Sequence, residues 1–194
     1  MKLTRQQAKT NRAAILEAAQ RLFRERGFEG VGVADLMREA GFTHGGFYNH
    51  FPSKDALAAE ACAEALSKAN AALADSLQRG KGNPWRRYLG AYLSKEHRDD
   101  PGSGCTLGAL SADAARQGPE LQAGFAKAIE QVIGIFADHL ARASPAEPRA
   151  SLRARAVQRF SEMIGALVLS RTVAGADPQL SEEILSANRR WLER

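Results

Sequence analysis

Between Gly41 and Leu57 the chain reads GFTHGGFYNHFPSKDAL, with no carboxylate before Asp55. The stretch offers hydroxyls on Thr43 and Tyr48, imidazoles on His44 and His50, the Asn49 carboxamide and the Lys54 ammonium. Donors gathered this way suit a polyanion. Tyr48, His50 and Lys54 can meet phosphates, His44 and Asn49 can meet base edges, and Thr43 can meet either. Gly45 and Gly46 each cost about 1 kcal/mol inside a helix, which makes sense where the backbone must approach another surface closely. Seen alone, such a pair reads as a plain loop. His44 and His50 lack the i, i+4 spacing of a helical zinc pair, and no neighbouring thiol or carboxylate completes a ligand set, so no metal is expected. Elsewhere, Cys105 with His97 or His139 is the one nucleophile–base combination on offer to an enzyme. No glycine-rich phosphate loop, nucleophile elbow or HExxH helix accompanies it. The sequence reads as non-enzymatic and without a cofactor.

The elements that must carry these groups are helical. Ile15, Ala18, Ala19, Leu22 and Phe23 recur at three- and four-residue spacing, with Thr10 the expected N-cap and Gly27 the stop. Val33–Ala40 predicts a second, short helix. Thr43–His50 predicts a third, closed before Pro52 and anchored in a small core by Phe47 and Phe51. Three short helices with tight glycine-containing connections describe a helix-turn-helix unit, whose last helix enters the major groove. A long alanine-rich helix is expected from Ser53 to about Arg79, then a break at Gly80–Asn83 and a helix opened by Pro84. After the turn-rich DDPGSG come helices from Cys105, over Pro119–Ala143, Leu152–Val173 and Gln179–Trp191. The fold class is all-α with about nine helices. Residues 1–52 form a helix-turn-helix domain, and 53–194 a helical domain for ligand binding and dimerisation.

The totals fit this reading. Lys and Arg number 27 against 22 acids, for a net charge of +5. Lys2, Arg5, Lys9 and Arg12 form an acid-free N-terminal arm, suited to an anionic surface or simply solvated. No window approaches a membrane span and no signal peptide opens the chain. Two cysteines make no disulfide scaffold, so a cytoplasmic location without membrane attachment is expected.

The segments TNRAAILEAAQRLFRERGFEG and VADLMREAGFTHGGFYNHFPSKDAL resemble the DNA-binding domain of the tetracycline-repressor (TetR) family of bacterial transcriptional regulators. The AG pair, the aromatic-Tyr-x-His-Phe run and Ser-Lys-Asp-x-Leu carry the likeness, over about a quarter of the chain. The resemblance implies that Thr43–His50 is the recognition helix. It further implies that Tyr48, His50 and Lys54 meet phosphates, with Thr10 a further phosphate contact at the start of the first helix. It also implies a repressor, and some members of that family sense electrophiles or oxidants through a cysteine. One departure stands out: Val31 and Gly32 occupy the place where Thr or Ser usually caps the second helix.

A single helix-turn-helix gains affinity by dimerising, so that two recognition helices reach half-sites of a palindromic double-stranded DNA operator. The chain should therefore form a homodimer through its last two helices, one with Val157, Phe160, Ile164, Leu167 and Val168, the other with Leu180, Ile184, Leu185, Trp191 and Leu192. The middle helices should enclose a cavity for a small-molecule inducer, electrophilic or oxidising if Cys105 takes part. Trp85, Tyr88, Tyr92, Cys105, Phe125, Ile129 and Met163 are its expected binding residues, with Phe136 a further apolar wall. His97, Arg98, Arg116 and Gln122 are polar groups that could select the ligand.

Overall fold

The computed structural model describes residues 4–79 and 82–194; Lys2 of the basic arm and Gly80–Lys81 of the expected break lie outside them. The described residues form nine α-helices and one 3-10 helix, without a strand. Helix α1 spans Arg5–Arg26 and is capped by Thr4, whose hydroxyl accepts the Gln7 N–H at 3.2 Å. Thr10 is therefore not the cap. It lies one turn inside, its hydroxyl donating to the Gln6 carbonyl at 3.2 Å, because an earlier threonine precedes a run of good helix formers. Gly27 ends α1 at φ 72°, a left-handed angle that costs glycine little.

Helix α2 covers Val33–Glu39. Gly32 has no side chain to cap it, but its own N–H donates to Asp35 Oδ2 at 3.2 Å, so Asp35 supplies part of what the missing Thr or Ser would. The expected third α-helix is instead a 3-10 helix over His44–Asn49. Two glycines and the approach of Pro52 leave too few good helix formers to sustain α geometry, and short pieces favour the tighter turn.

Helix α3 runs Lys54–Gln78 under the cap of Ser53, whose hydroxyl accepts from Ala56 at 3.0 Å. Then follow α4 (Pro84–Tyr92), α5 (Lys95–Asp99), α6 (Thr106–Ala114), α7 (Pro119–Ala143), α8 (Arg149–Val173) and α9 (Pro178–Leu192). The single-turn α5 was not expected; it is held by Ser94 accepting the His97 N–H at 3.2 Å.

Ile15, Phe23, Phe28, Leu36, Met37, Phe47 and Phe51 fill the core of the first three helices, each at most 2% exposed. Burying one such side chain contributes about 1.5–3 kcal/mol. That core continues without a gap along α3 into the second half, where α3 lies on α7, α7 on α8 and α8 on α9. The Trp85 indole N–H donates to the Leu192 carbonyl at 2.7 Å and ties α4 to the end of α9. The apolar residues of α8 and α9 divide. Phe160, Leu167, Leu185 and Leu192 are buried in the chain's own core, whereas Val157, Val168, Leu169, Leu180 and Trp191 stand exposed. No described helix is long and apolar enough to cross a membrane.

Candidate nucleic-acid interface and ligand cavity

Phe47 fixes the 3-10 helix by burying its ring, 5.9 Å from Phe51. Its neighbours in sequence are thereby turned outward. Thr43, His44, Gly45, Tyr48 and Asn49 are exposed, with Gly46 and His50 half-buried at the edge. Tyr48 leans edge-on against Phe47 at 5.2 Å and is still 66% exposed, which is unusual for an aromatic side chain that a core could take. Thr10 is exposed on α1. Lys54 is placed differently from its neighbours: its ammonium donates to the carbonyls of Phe28 (2.8 Å) and Val31 (3.2 Å). Two of its three N–H groups are thus committed to the turn before α2, leaving one. Arg12 is also drawn inward from the basic arm, since it pairs with Glu60 on α3 at 2.6 Å and lies over the Phe51 ring at 4.4 Å.

A cavity of about 400 Å³ opens among α3, α4, α6, α7 and α8. Tyr88, Tyr92, Cys105 and Met163 line it, together with His97. Trp85, Phe125 and Ile129 do not. Trp85 is engaged with Leu192 and packs edge-on against Phe136 at 5.1 Å. Phe125 is core on α7, and Ile129 packs beside that core. Of the remaining polar candidates, Arg98 bonds Asp99 and the Ser181 hydroxyl. Arg116 pairs with Asp113, and Gln122 donates to the carbonyls of Ala115 and Gln117. Sequence reasoning overlooked Asn70, buried on the wall with its amide donating to Ala128 O at 3.1 Å and Gln131 Oε1 at 2.9 Å. A lone asparagine on the apolar face of an alanine-rich helix was the available signal.

The His97 ring is held at both nitrogens. Nδ1 lies 2.7 Å from the Tyr92 carbonyl, and Nε2 accepts the Cys105 N–H at 3.0 Å. A carbonyl can only accept, so Nδ1 carries the proton and the ring is neutral. Burial, with Arg171 nearby, holds its pKa below the usual value. The Cys105 thiol caps α6 by accepting the Gly108 N–H at 3.4 Å. Burial raises both tyrosine hydroxyls and pushes the Cys62 thiol up to about 12.

The cavity wall and the first three helices meet in one segment. Ser103, Gly104 and Cys105 line the cavity, while the adjacent Gly102 carbonyl accepts from Arg24 of α1, through Nε at 2.7 Å and also through Nη2. A side chain at Gly102 would meet Glu25 of α1 at 2.5 Å. At the far end of α6, Asp113 sits against Gly27, where an added Cβ would lie 2.5 Å from its carboxylate. Helix α6 thus reaches from the cavity to the end of α1.

Comparison with known proteins places this geometry in company. The profile of a family described as bacterial regulatory proteins, tetR family, matches residues 15–61. The HTH-type transcriptional repressor NemR of Escherichia coli is 28% identical over 132 residues, 66% of either chain. The regulator LmrA of Bacillus subtilis is 26% identical over 173 residues, 88% of this chain and 91% of its own. Among solved structures, reduced E. coli NemR superposes with a TM-score of 0.78 at 23% identity over 95% of both chains. A TetR regulator from Legionella pneumophila gives 0.77 at 20% identity, covering 100% of this chain and 98% of its own. At such identities the superpositions speak for the fold alone.

Proposed function

The chain belongs to the tetR family of bacterial regulatory proteins, and on that premise we propose that it represses transcription as a homodimer on a palindromic operator and is released by a small molecule. The observation that carries the DNA interface is the outward-turned segment over the 3-10 helix, which holds no acid between Gly41 and Lys54. On it, Thr43, His44 and Asn49 read bases, Tyr48 and His50 meet phosphates, and Gly45 and Gly46 permit close approach. Thr10 on α1 adds a phosphate contact. Lys54 does so with the one N–H its carbonyl partners leave over, and chiefly fixes the turn that presents the rest. The functional boundary falls between residues 52 and 53, although the apolar core is shared across it.

Two such faces must sit roughly 34–36 Å apart, or a multiple of that, to reach successive half-sites. The exposed stripe Val157, Val168 and Leu169 on α8, beside Leu180 and Trp191 on α9, supplies a two-fold apolar seam for a four-helix bundle. The cavity lined by Tyr88, Tyr92, Cys105 and Met163 takes the inducer, and Cys105 makes an electrophilic or oxidising one workable. The joint at Gly102 carries its effect to α1.

The test is fluorescence anisotropy on a fragment of the protein's own promoter against a scrambled duplex, over a salt series. Specific binding whose affinity falls steeply with salt is expected. Equal affinity for both duplexes defeats the reading. Iodoacetamide labelling then compares Cys105 with Cys62, the thiol raised to about 12 by burial. Faster labelling at Cys105 with loss of operator binding is the outcome expected of a thiol-sensing inducer site.

A further inference from the structure

Asn70 is a polar residue on an apolar face. It stands on α3 between Leu66 and Leu73, one turn to either side, and only 7% of it is exposed. Its amide group commits both N–H donors to α7, one to the Ala128 carbonyl at 3.1 Å and the other to Gln131 Oε1 at 2.9 Å. A backbone carbonyl can only accept, so Ala128 fixes which end of the carboxamide is nitrogen. The Asn70 carbonyl oxygen is left without a hydrogen bond among the described residues. It is not sealed in the interior, since the enclosed polar atoms that lack a partner lie on other residues. Asn70 lines the cavity, and that is where an almost wholly buried residue can leave an oxygen open.

The surroundings decide what can meet that oxygen. Among the described residues, no Asp, Glu, Lys or Arg lines the cavity, and Leu66, Leu73, Val132, Phe160 and Met163 give it apolar walls. His97 is held neutral by its two bonds, and burial keeps the Tyr88 hydroxyl protonated. A ligand with a full charge would therefore leave water and find no counter-ion. The hydroxyls of Ser76, Tyr88 and Thr106 on the lining can turn to donate or accept, so they select little. The Asn70 oxygen only accepts, and its direction is fixed from α7. A ligand that covers it without offering a donor leaves it desolvated and unpaired, which costs more than the bond would gain. We propose that the cavity receives a neutral, largely apolar molecule of the phenol class, whose single O–H donates to the Asn70 carbonyl oxygen. The proposal rests on reading the cavity as the inducer site and names the class of inducer. At about 400 Å³ the space holds a two-ring aromatic skeleton.

The test is calorimetric titration of the full-length protein at neutral pH with three probes of one skeleton: 2-naphthol, 2-methoxynaphthalene and 2-naphthoate. None is an electrophile, so binding is read independently of the Cys105 thiol. Naphthol should bind roughly tenfold more tightly than its methyl ether, and naphthoate more weakly than naphthol by a similar factor or more. Asn70→Leu, close in volume, should bring naphthol and the ether to equal affinity while the ether still binds. Equal affinities of those two in the wild type, naphthoate as the tightest probe, no binding of any probe, or a naphthol preference that survives Asn70→Leu overturns the proposal. Should Asn70→Leu lose its helical circular dichroism, Asn70→Ala decides by the same ratio. Operator release is read separately by anisotropy. Naphthol that binds with this selectivity yet leaves DNA affinity unchanged removes the inducer reading while the hydrogen-bond assignment stands.

Discussion

Gly45 and Gly46 are glycines that the fold itself does not need. Neither has a left-handed φ, a Cβ at Gly45 would meet nothing within 4 Å, and one at Gly46 would make ordinary contact with Met37 at 3.6 Å. On the proposed interface their missing side chains serve the approach of the DNA. Gly45→Ala should hold or raise thermal stability, by about 0.5–1 kcal/mol, and still weaken operator binding markedly. A variant that binds normally would remove the close-approach argument. His97 makes a second prediction at this scale. Its folded pKa lies below the ordinary value through burial and Arg171, against the pull of the Tyr92 carbonyl and Asp100. Below about pH 6.5 the unfolded chain binds the proton first, so stability is full above that pH and declines as pH falls beneath it. His139 shifts in the same direction, through burial, Arg142 and Arg159, so it adds to the slope. Urea melts at pH 7.5 and 5.5 should show the decline, and His97→Gln should shrink it. An identical decline in His97→Gln would mean that His97 is not its source.

Among the elements, the seam proposed on α8 and α9 lets association be tested apart from folding. Val168→Glu or Trp191→Glu puts a charge on the exposed stripe and should yield folded monomers by analytical ultracentrifugation. Leu167→Glu or Leu185→Glu charges the interior, at 0% and 4% exposure, and should unfold the chain instead. Folded dimers of Val168→Glu would place the interface elsewhere. The sequence periodicity found both helices but not which apolar residues turn inward, because α8 is buried on one side by its own domain and both faces are hydrophobic. The start of α3 was legible at Ser53, whereas the cap of α1 was misassigned to Thr10, more than a turn inside the helix that Thr4 opens. The 3-10 form over His44–Asn49 was missed because residue type marks a helix more readily than its pitch. In the cavity, Tyr88 and Tyr92 were readable as aromatic groups at helical spacing, Cys105 as a thiol at a helix start and Met163 as an apolar group on a later helix. Trp85 and Phe125 carry the same signal and were drawn elsewhere by partners distant in sequence, such as Leu192.

Across the whole molecule, the Arg24–Gly102 bond joins the DNA-binding helices to the cavity wall. If that bond couples them, loosening one side must loosen the other. Arg24→Met should raise amide hydrogen exchange both in the last turn of α1 and in residues 102–105, while the middle of α7 stays protected. Faster exchange on one side only would show that the bond is local and that the route runs through α6 and Asp113.

The indole of Trp85, enclosed and bonded to Leu192, and that of Trp191, 60% exposed, also give this chain an optical signature of its own assembly. In a dilute monomer Trp191 emits from water and is open to iodide quenching, whereas Trp85 is dark to the quencher at any concentration. Pairing of the α8–α9 seam should move the emission to shorter wavelength and halve the quenchable fraction or better, so a simple dilution series reads the dimer constant without a label. Trp191→Phe should silence the change, and a signal that persisted in it would assign the transition to the surroundings of Trp85.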